Sequence, residues 1–298
     1  MSSTNTNTLW VVLGPTAIGK TALGIQIAQK LNTEIISCDS RQFFKEMRIG
    51  TAVPSSEELA AVPHHLIQHK SIHQAYSVGA FEKEALQKLT EIFQTKQQAV
   101  LVGGSGLYID ALCKGLDNFP DINPKLREEL RKKHQQLGLS WLQEEVQKHD
   151  PEYYQIVDTQ NAHRLLRCLE VCLQSQQTFT SFRKQNTNKR PFNIQYIGLQ
   201  MPREQLYQRI NQRVDKMMQE GLLEEVKTLL PHQNLNALQT VGYRELFAHL
   251  NGEHSLERAV ELIKQNTRRF AKRQLTWLKR YEDAKWYTNT EEALKFIN

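Results

Sequence analysis

The chain has 298 residues, 40% of them hydrophobic, and a formal net charge of +6. That length fits one large domain, or a core carrying a smaller inserted one. No apolar run approaches the roughly 18 residues needed to span a bilayer, and the polar segment Met1 to Thr8 lacks the charged start and apolar stretch of a signal peptide. These features exclude a membrane protein and point to a cytoplasmic one, with a frayed N-terminal tail. The four cysteines form no C-x-x-C pair; they read as small core residues of a protein in a reducing compartment.

In chain order, Leu9 to Leu13 reads as a short buried strand and Thr21 to Leu31 as a helix with apolar positions at Ala22, Leu23, Ile25, Ile27, Ala28 and Leu31. Between them, Gly14-Pro15-Thr16-Ala17-Ile18-Gly19-Lys20-Thr21 fits G-x-x-x-x-G-K-[ST]. Strand, glycine loop and helix start together offer backbone N–H groups and a positive dipole end to an anion. Lys20 adds a full charge, and Thr21 is the candidate ligand to Mg²⁺, the expected cofactor. The loop specifies phosphate binding, without specifying whose phosphate.

Glu34 to Cys38 is a second expected strand, ending at Asp39. Helical spacing runs from Phe81 to Phe93, and Ala99 to Val102 is a third strand leading into Gly103-Gly104-Ser105-Gly106. Strands alternating with helices predict a parallel sheet covered on both faces. The segment 121–190 breaks this rhythm with helices alone: from Pro124 through Leu137, Trp141 to His149, and Ala162 to Leu173. Phe192 to Leu199 reads as a further strand, and helices follow at Arg203–Glu220, Leu222–Leu230, Tyr243–Leu250 and Ser255–Tyr281. The predicted organisation is an α/β, P-loop NTPase-like parallel sheet core flanked by helices, in 1–120 and 191–298, with a helical insertion domain at 121–190.

Ligands of open parallel sheets sit beyond the carboxyl ends of the strands. The phosphate loop, Asp39-Ser40-Arg41-Gln42 and the Gly103–Gly106 loop are therefore expected to face one pocket. Asp39 there could accept a proton or hold Mg²⁺ through water; an Asx turn is the alternative. The third strand ends in glycine, not aspartate, which disfavours an ordinary ATPase. His64-His65 lacks a third metal ligand and reads as loop or core. Trp277 and Tyr281 read as core contacts. From Lys264 to Arg280 lie seven cations, Lys264, Arg268, Arg269, Lys272, Arg273, Lys279 and Arg280, with no acid between them. This predicts a polyanionic partner.

Taken together, these segments resemble the bacterial tRNA dimethylallyltransferases, or tRNA isopentenyltransferases, of the IPP transferase family. The resemblance extends from Leu9 to about Tyr281. It rests on Gly14 to Thr21, Asp39 to Gln42, Gly50-Thr51-Ala52, His64 to Ile67, Gly103 to Tyr108, Asp150-Pro151, Asn161 with Arg164 and Arg167, Arg209 and Arg213, Gly221-Leu222, Val241 to Glu245, and Thr267 to Gln274.

What the resemblance implies is transfer of a dimethylallyl group from dimethylallyl diphosphate to N6 of the adenosine just 3′ of the anticodon, in tRNAs reading codons that begin with U. Asp39 would be the general base. Lys20, the loop from Gly14 to Thr21, Arg209 and Arg213 would bind the diphosphate. Ser105, where the family usually has threonine, would orient the attacking amine. The resemblance implies tRNA contacts for Asp39, Ser40, Arg41, Gln42, Ser105, Arg127, Asn161, Arg164, Arg167, Gln239, Thr240, Val241, Gly242, Tyr243 and Arg244, with the anticodon stem-loop as partner. Phe44 stands where tyrosine is common. A transferase acting on free adenine nucleotides and a small-molecule kinase are the alternatives; the insertion and basic C-terminal helix disfavour the first. A monomer is expected, since no exposed apolar stripe suggests a partner face.

Overall fold

The computed structural model describes residues 7–183 and 189–297. Most of the expected N-terminal tail lies outside the described residues, and Thr8 already pairs within the sheet. The elements run in order β1 (Thr8–Leu13), α1 (Lys20–Lys30), β2 (Ile35–Ser37), α2 (Ser56–Ala61), β3 (His64–His65), α3 (Val78–Ile92), β4 (Gln98–Val102) and α4 (Gly106–Lys114). Then come α5 (Pro124–His149), α6 (Pro151–Ile156), α7 (Ala162–Ser175) and α8 (Phe179–Phe182). The chain continues with β5 (Asn193–Leu199), α9 (Arg203–Gln219), α10 (Leu222–Leu229), α11 (Tyr243–Leu250), α12 (Leu256–Leu278), β6 (Lys285–Tyr287) and α13 (Thr290–Lys295).

The chain divides into two compact units, one of Met1–Lys114 with Lys189–Asn298, the other Gly115–Asn188. The first is built on a parallel sheet of order β3-β2-β4-β1-β5-β6. Register follows from burial on both faces: Leu9, Val11 and Leu13 of β1 join one core, and Trp10 and Val12 the other. Successive side chains of a strand point to opposite faces, so a continuous apolar run can feed two layers. One layer is closed by Phe81, Ala85 and Leu89 of α3 with Ile109 and Leu112 of α4. The other is closed by Leu23, Ile27 and Ala28 of α1 with Leu206 and Ile210 of α9. A third core, with Val214, Leu222, Val226, Tyr243, Leu246 and Ile263, joins α9, α10, α11 and α12.

Two strands escape the sequence reading. In β3 two histidines pair with Ile35 and Ile36 of β2, and in β6 Lys285 to Tyr287 pair with the end of β5. At two and three residues, both are too short for period-2 alternation to register. Among the described residues the second unit is wholly helical. Its α5 contains a break at Gly138, whose φ of 78° and ψ of −170° are not helical. Glycine accepts this conformation without a Cβ clash, and it falls between the two helices expected there. Cys168 and Cys172 are buried in this unit's core. Asp150 lies beside them, but its carboxylate accepts from Tyr153 N, Thr180 N and the Thr180 hydroxyl, a double helix-capping role.

Candidate active site

Three strand ends open into one cavity of about 1070 Å³ in the first unit. The phosphate loop leaves β1, and Gly19 starts α1 from a left-handed conformation with φ of 108°. Gly14, Thr16, Ala17, Ile18, Gly19, Lys20 and Thr21 line the cavity, as do Asp39, Ser40, Arg41 and Gln42, and Gly103 through Tyr108. Pro15 contributes its carbonyl, which accepts from Lys20 Nζ at 2.8 Å. Burial pulls the Lys20 ammonium down to about 8; the nearby Arg213 cation adds to this, while Asp39 and Cys38 oppose it. Arg213 also lines the cavity, with Nη1 3.5 Å from the Thr16 hydroxyl, as does Arg209, whose guanidinium lies beside Gly19.

Asp39 lines this space while forming an Asx turn: Oδ1 accepts from Arg41 N at 3.0 Å. Both sequence readings of Asp39, turn former and cavity acid, therefore describe one residue. Ser105 closes on the same turn. Its Oγ accepts from Ser40 N and donates to Ser40 Oγ, each at 3.0 Å. The close approach depends on glycine, since a Cβ on Gly103 would lie 2.5 Å from the Cys38 carbonyl carbon. Gln42 lines the cavity but directs its amide N–H groups to the carbonyls of Thr51 and Ala52, at 3.1 and 2.9 Å. Arg41 likewise donates to the carbonyls of Asn236 and Ala237, both at 2.9 Å.

Gln239, Thr240, Val241, Gly242 and Arg244 also reach the cavity wall. Tyr243 does not, and the expectation of tRNA contact is corrected for its side chain. It is fully buried, and its hydroxyl donates to Glu225 Oε1 at 2.6 Å. Arg244, the next residue of the helix, is exposed, whereas Tyr243 faces the core. In the second unit, Arg127 forms a two-point pair with Glu170, with Nε–Oε1 2.9 Å and Nη2–Oε2 3.3 Å. Arg167 lies 3.6 Å from the same carboxylate. Asn161 caps α7, accepting from Arg164 N, and the Arg164 side chain is exposed.

Two site residues carry roles that sequence reasoning missed. Gln274 on α12 accepts from Thr16 N and donates to the Gly104 carbonyl, both at 2.8 Å. Its signal was a polar amide inside the buried stripe Ile263, Ala271, Gln274, Leu278. Glu225 collects the amides of Arg48, Ile49 and Gly50; an acid in the first turn of a helix is commonplace as a dipole partner, so its position in α10 carries no signal of this role.

For a metal, the cavity offers the Thr21 hydroxyl and the Asp39 carboxylate, hard oxygen donors of the type magnesium takes. Among the described residues, the one group of three His, Cys, Asp or Glu side chains with metal-ligand spacing lies elsewhere, at Asp150, Cys168 and Cys172. A cation here therefore needs ligand oxygens in addition to the protein's, which suits a diphosphate-bound divalent ion. No described helix is long and apolar enough to cross a membrane.

The fold defines an enzyme of the P-loop-like α/β class, with a carboxylate and the phosphate-type loop lining one cavity. The family model described as IPP transferase matches residues 42–281, and the chain belongs to that family. It is 53% identical to a tRNA dimethylallyltransferase of Flavobacterium johnsoniae, over 97% of this chain and 96% of the relative. It is also 53% identical to that of Christiangramia forsetii, over 96% and 95%. The fold matches the tRNA isopentenylpyrophosphate transferase of Bacillus halodurans with a TM-score of 0.72 and 34% identity, covering 98% of this chain and 94% of that one. It also matches a eukaryotic dimethylallyltransferase acting on tRNA with a TM-score of 0.81 and 25% identity, covering 96% and 75%.

Proposed function

We propose that this chain transfers the dimethylallyl group of dimethylallyl diphosphate to N6 of the adenosine just 3′ of the anticodon in tRNA, releasing diphosphate. The observation that carries the reading is the placement of Asp39 and Ser105 in one cavity with the phosphate loop. An exocyclic adenine amine is a weak nucleophile because its lone pair is delocalised into the ring. Asp39 takes the N6 proton as the N6–carbon bond forms, and the allylic carbon–oxygen bond breaks with its electron pair going to the diphosphate.

Lys20, the loop amides, Arg209 and Arg213 stabilise the charge that grows on the leaving group. Thr21 would hold Mg²⁺ together with diphosphate oxygens, and the bound ion would supply further neutralisation of that charge. Ser105 fixes the turn that carries Asp39 through Ser40 and can orient the amine. Gln42, with both amide hydrogens held by carbonyls, supports the wall behind the base and leaves any reading of adenine to its remaining surface. The acceptor base must leave its stack to enter the cavity. Exposed cations of α12, Arg244 and the helical unit with Arg164 would supply phosphate and base contacts.

The test supplies enzyme, Mg²⁺ and radiolabelled dimethylallyl diphosphate with either tRNA or AMP. Label on tRNA is expected; label on AMP alone overturns the reading in favour of a free-nucleotide transferase. Asp39→Asn preserves an oxygen for the Arg41 amide, so the turn survives. Its kcat is expected to fall about 10²- to 10⁴-fold with tRNA affinity unchanged, and wild-type turnover removes Asp39 as the base.

A further inference from the structure

We propose that Gln274 is a positioning residue that locks the phosphate loop and the Gly103–Gly106 loop into one rigid unit, and so sets the distance between leaving group and base. The inference rests on the prenyl-transfer reading and goes beyond it. The two loops are far apart in sequence, and the Gln274 carboxamide bonds both: Oε1 accepts from Thr16 N and Nε2 donates to Gly104 O, each at 2.8 Å. The side chain is only 7% exposed. Both its polar atoms are paired, and the pairing fixes the amide orientation, because Thr16 offers a donor and Gly104 an acceptor.

Each end of this clamp leads to reacting groups. Thr16 is in the loop that would hold diphosphate, and its hydroxyl lies 3.5 Å from Arg213. Gly104 precedes Ser105, which grips the Ser40 backbone next to Asp39. Gly104 accommodates the clamp only because it lacks a side chain: a Cβ there would sit 2.7 Å from Gln274 Nε2 and 3.6 Å from Asp39 Oδ2. Oε1 and Nε2 of Gln274 are each engaged with one loop, and its effect on the reaction is assigned to these two bonds. The same helix carries the exposed cations Arg269, Lys272 and Arg273, so a polyanion on that face bears on an element bolted to both halves of the site.

The experiment compares wild type, Gln274→Glu and Gln274→Met. Glutamate keeps the acceptor for Thr16 N and turns an acceptor toward the Gly104 carbonyl. Methionine keeps the volume and removes both bonds. Loss of alignment by about 1 Å costs on the order of 100-fold in rate. Both variants are expected to lose about 10- to 100-fold in kcat, with a smaller rise in KM for dimethylallyl diphosphate and unchanged tRNA-binding stoichiometry and affinity. A merely structural role would lower the binding-competent fraction and leave kcat per competent molecule intact; that result, or wild-type kcat in both variants, overturns the proposal. Hydrogen exchange on the wild-type protein gives a second measurement should both variants misfold: the Thr16 amide is expected to be protected, and exchange at the free-peptide rate overturns the clamp. Absence of transfer by the wild type itself would instead overturn the reading of the reaction.

Discussion

Tyr243 and Glu225 meet at 2.6 Å, and the same carboxylate accepts from the amides of Arg48, Ile49 and Gly50. Four donors converge on one acid, which is how an irregular loop satisfies its backbone without a strand partner. The consequence reaches the site, because Thr51 and Ala52 of that loop accept from the Gln42 amide. Glu225→Gln would turn an N–H group toward backbone donors, whereas Tyr243→Phe removes one bond and keeps the packing. Thermal melts are expected to show Tyr243→Phe costing about 1–2 kcal/mol and Glu225→Gln about 2–3 kcal/mol. The Glu225→Gln enzyme is also expected to lose kcat through Gln42. Equal stability of the two variants would refute the convergent-acceptor account.

Lys20 gives the enzyme an alkaline limb. Held at about 8, it is charged in the free enzyme below that pH and neutral above it, so kcat/KM for the donor is expected to fall as pH rises through about 8. Lys20→Arg, permanently charged, is expected to flatten this limb at a lower plateau. Stability moves the opposite way. The unfolded lysine keeps its proton to about 10.5, so between about 8 and that value the unfolded chain binds more protons and the native state gains stability with rising pH. Lys20→Met should lose that gain, readable as urea midpoints at two pH values either side of the window.

Why some of this was legible in sequence and some was not has a physical basis. The phosphate loop announces itself because strand, glycines and helix are contiguous and each has its own pattern. Asp39 and Ser105 were placed correctly at strand ends because a parallel sheet sends those ends to one edge. Gln274 and Thr16 are 258 residues apart, and no local pattern pairs them. Tyr243 was misread because its neighbours Gly242 and Arg244 line the cavity, while the helical turn at α11 rotates the tyrosine into the third core. The strand β3 is invisible for a different reason, being held by pairing with β2 rather than by apolar side chains of its own.

Arg127 and Glu170 separate a structural role from a ligand-binding one in the helical unit. Glu170 is buried at 6% exposure and takes both bonds of the Arg127 guanidinium. Removing one partner of a buried pair leaves an uncompensated charge. Arg167 still faces Glu170 and Arg127 is 41% exposed, so Arg127→Met is expected to cost a discounted ~1–2 kcal/mol. Adding Glu170→Gln should recover most of that stability, and tRNA affinity is expected to recover with it. A double variant that regains stability but stays weak toward tRNA would assign Arg127 a direct contact.

The basic run of α12 is less uniform than its sequence suggested, and this yields a graded prediction. Lys264 is paired with Asp215 at 2.8 Å and lies 3.6 Å from Glu261. Arg268 donates to Asn211, and Arg280 approaches Asp110 at 3.4 Å while stacking on Trp277. Acids absent from the run itself thus arrive from α9 and α4 and from the preceding turn of α12. Lys272 and Lys279 are exposed, with no ion pair among the described residues, so a phosphate backbone can displace their counterions without first breaking a protein contact. Each phosphate contact contributes a slope of about −0.9 to log K against log salt on duplex and about −0.7 on single strands. Lys272→Gln and Lys279→Gln are each expected to reduce the tRNA-binding slope by close to one contact, and Lys264→Gln to leave it unchanged. Filter binding across a salt series decides the matter: an equal reduction from all three would mean that the ion pairs of Lys264 do not withhold it from the RNA.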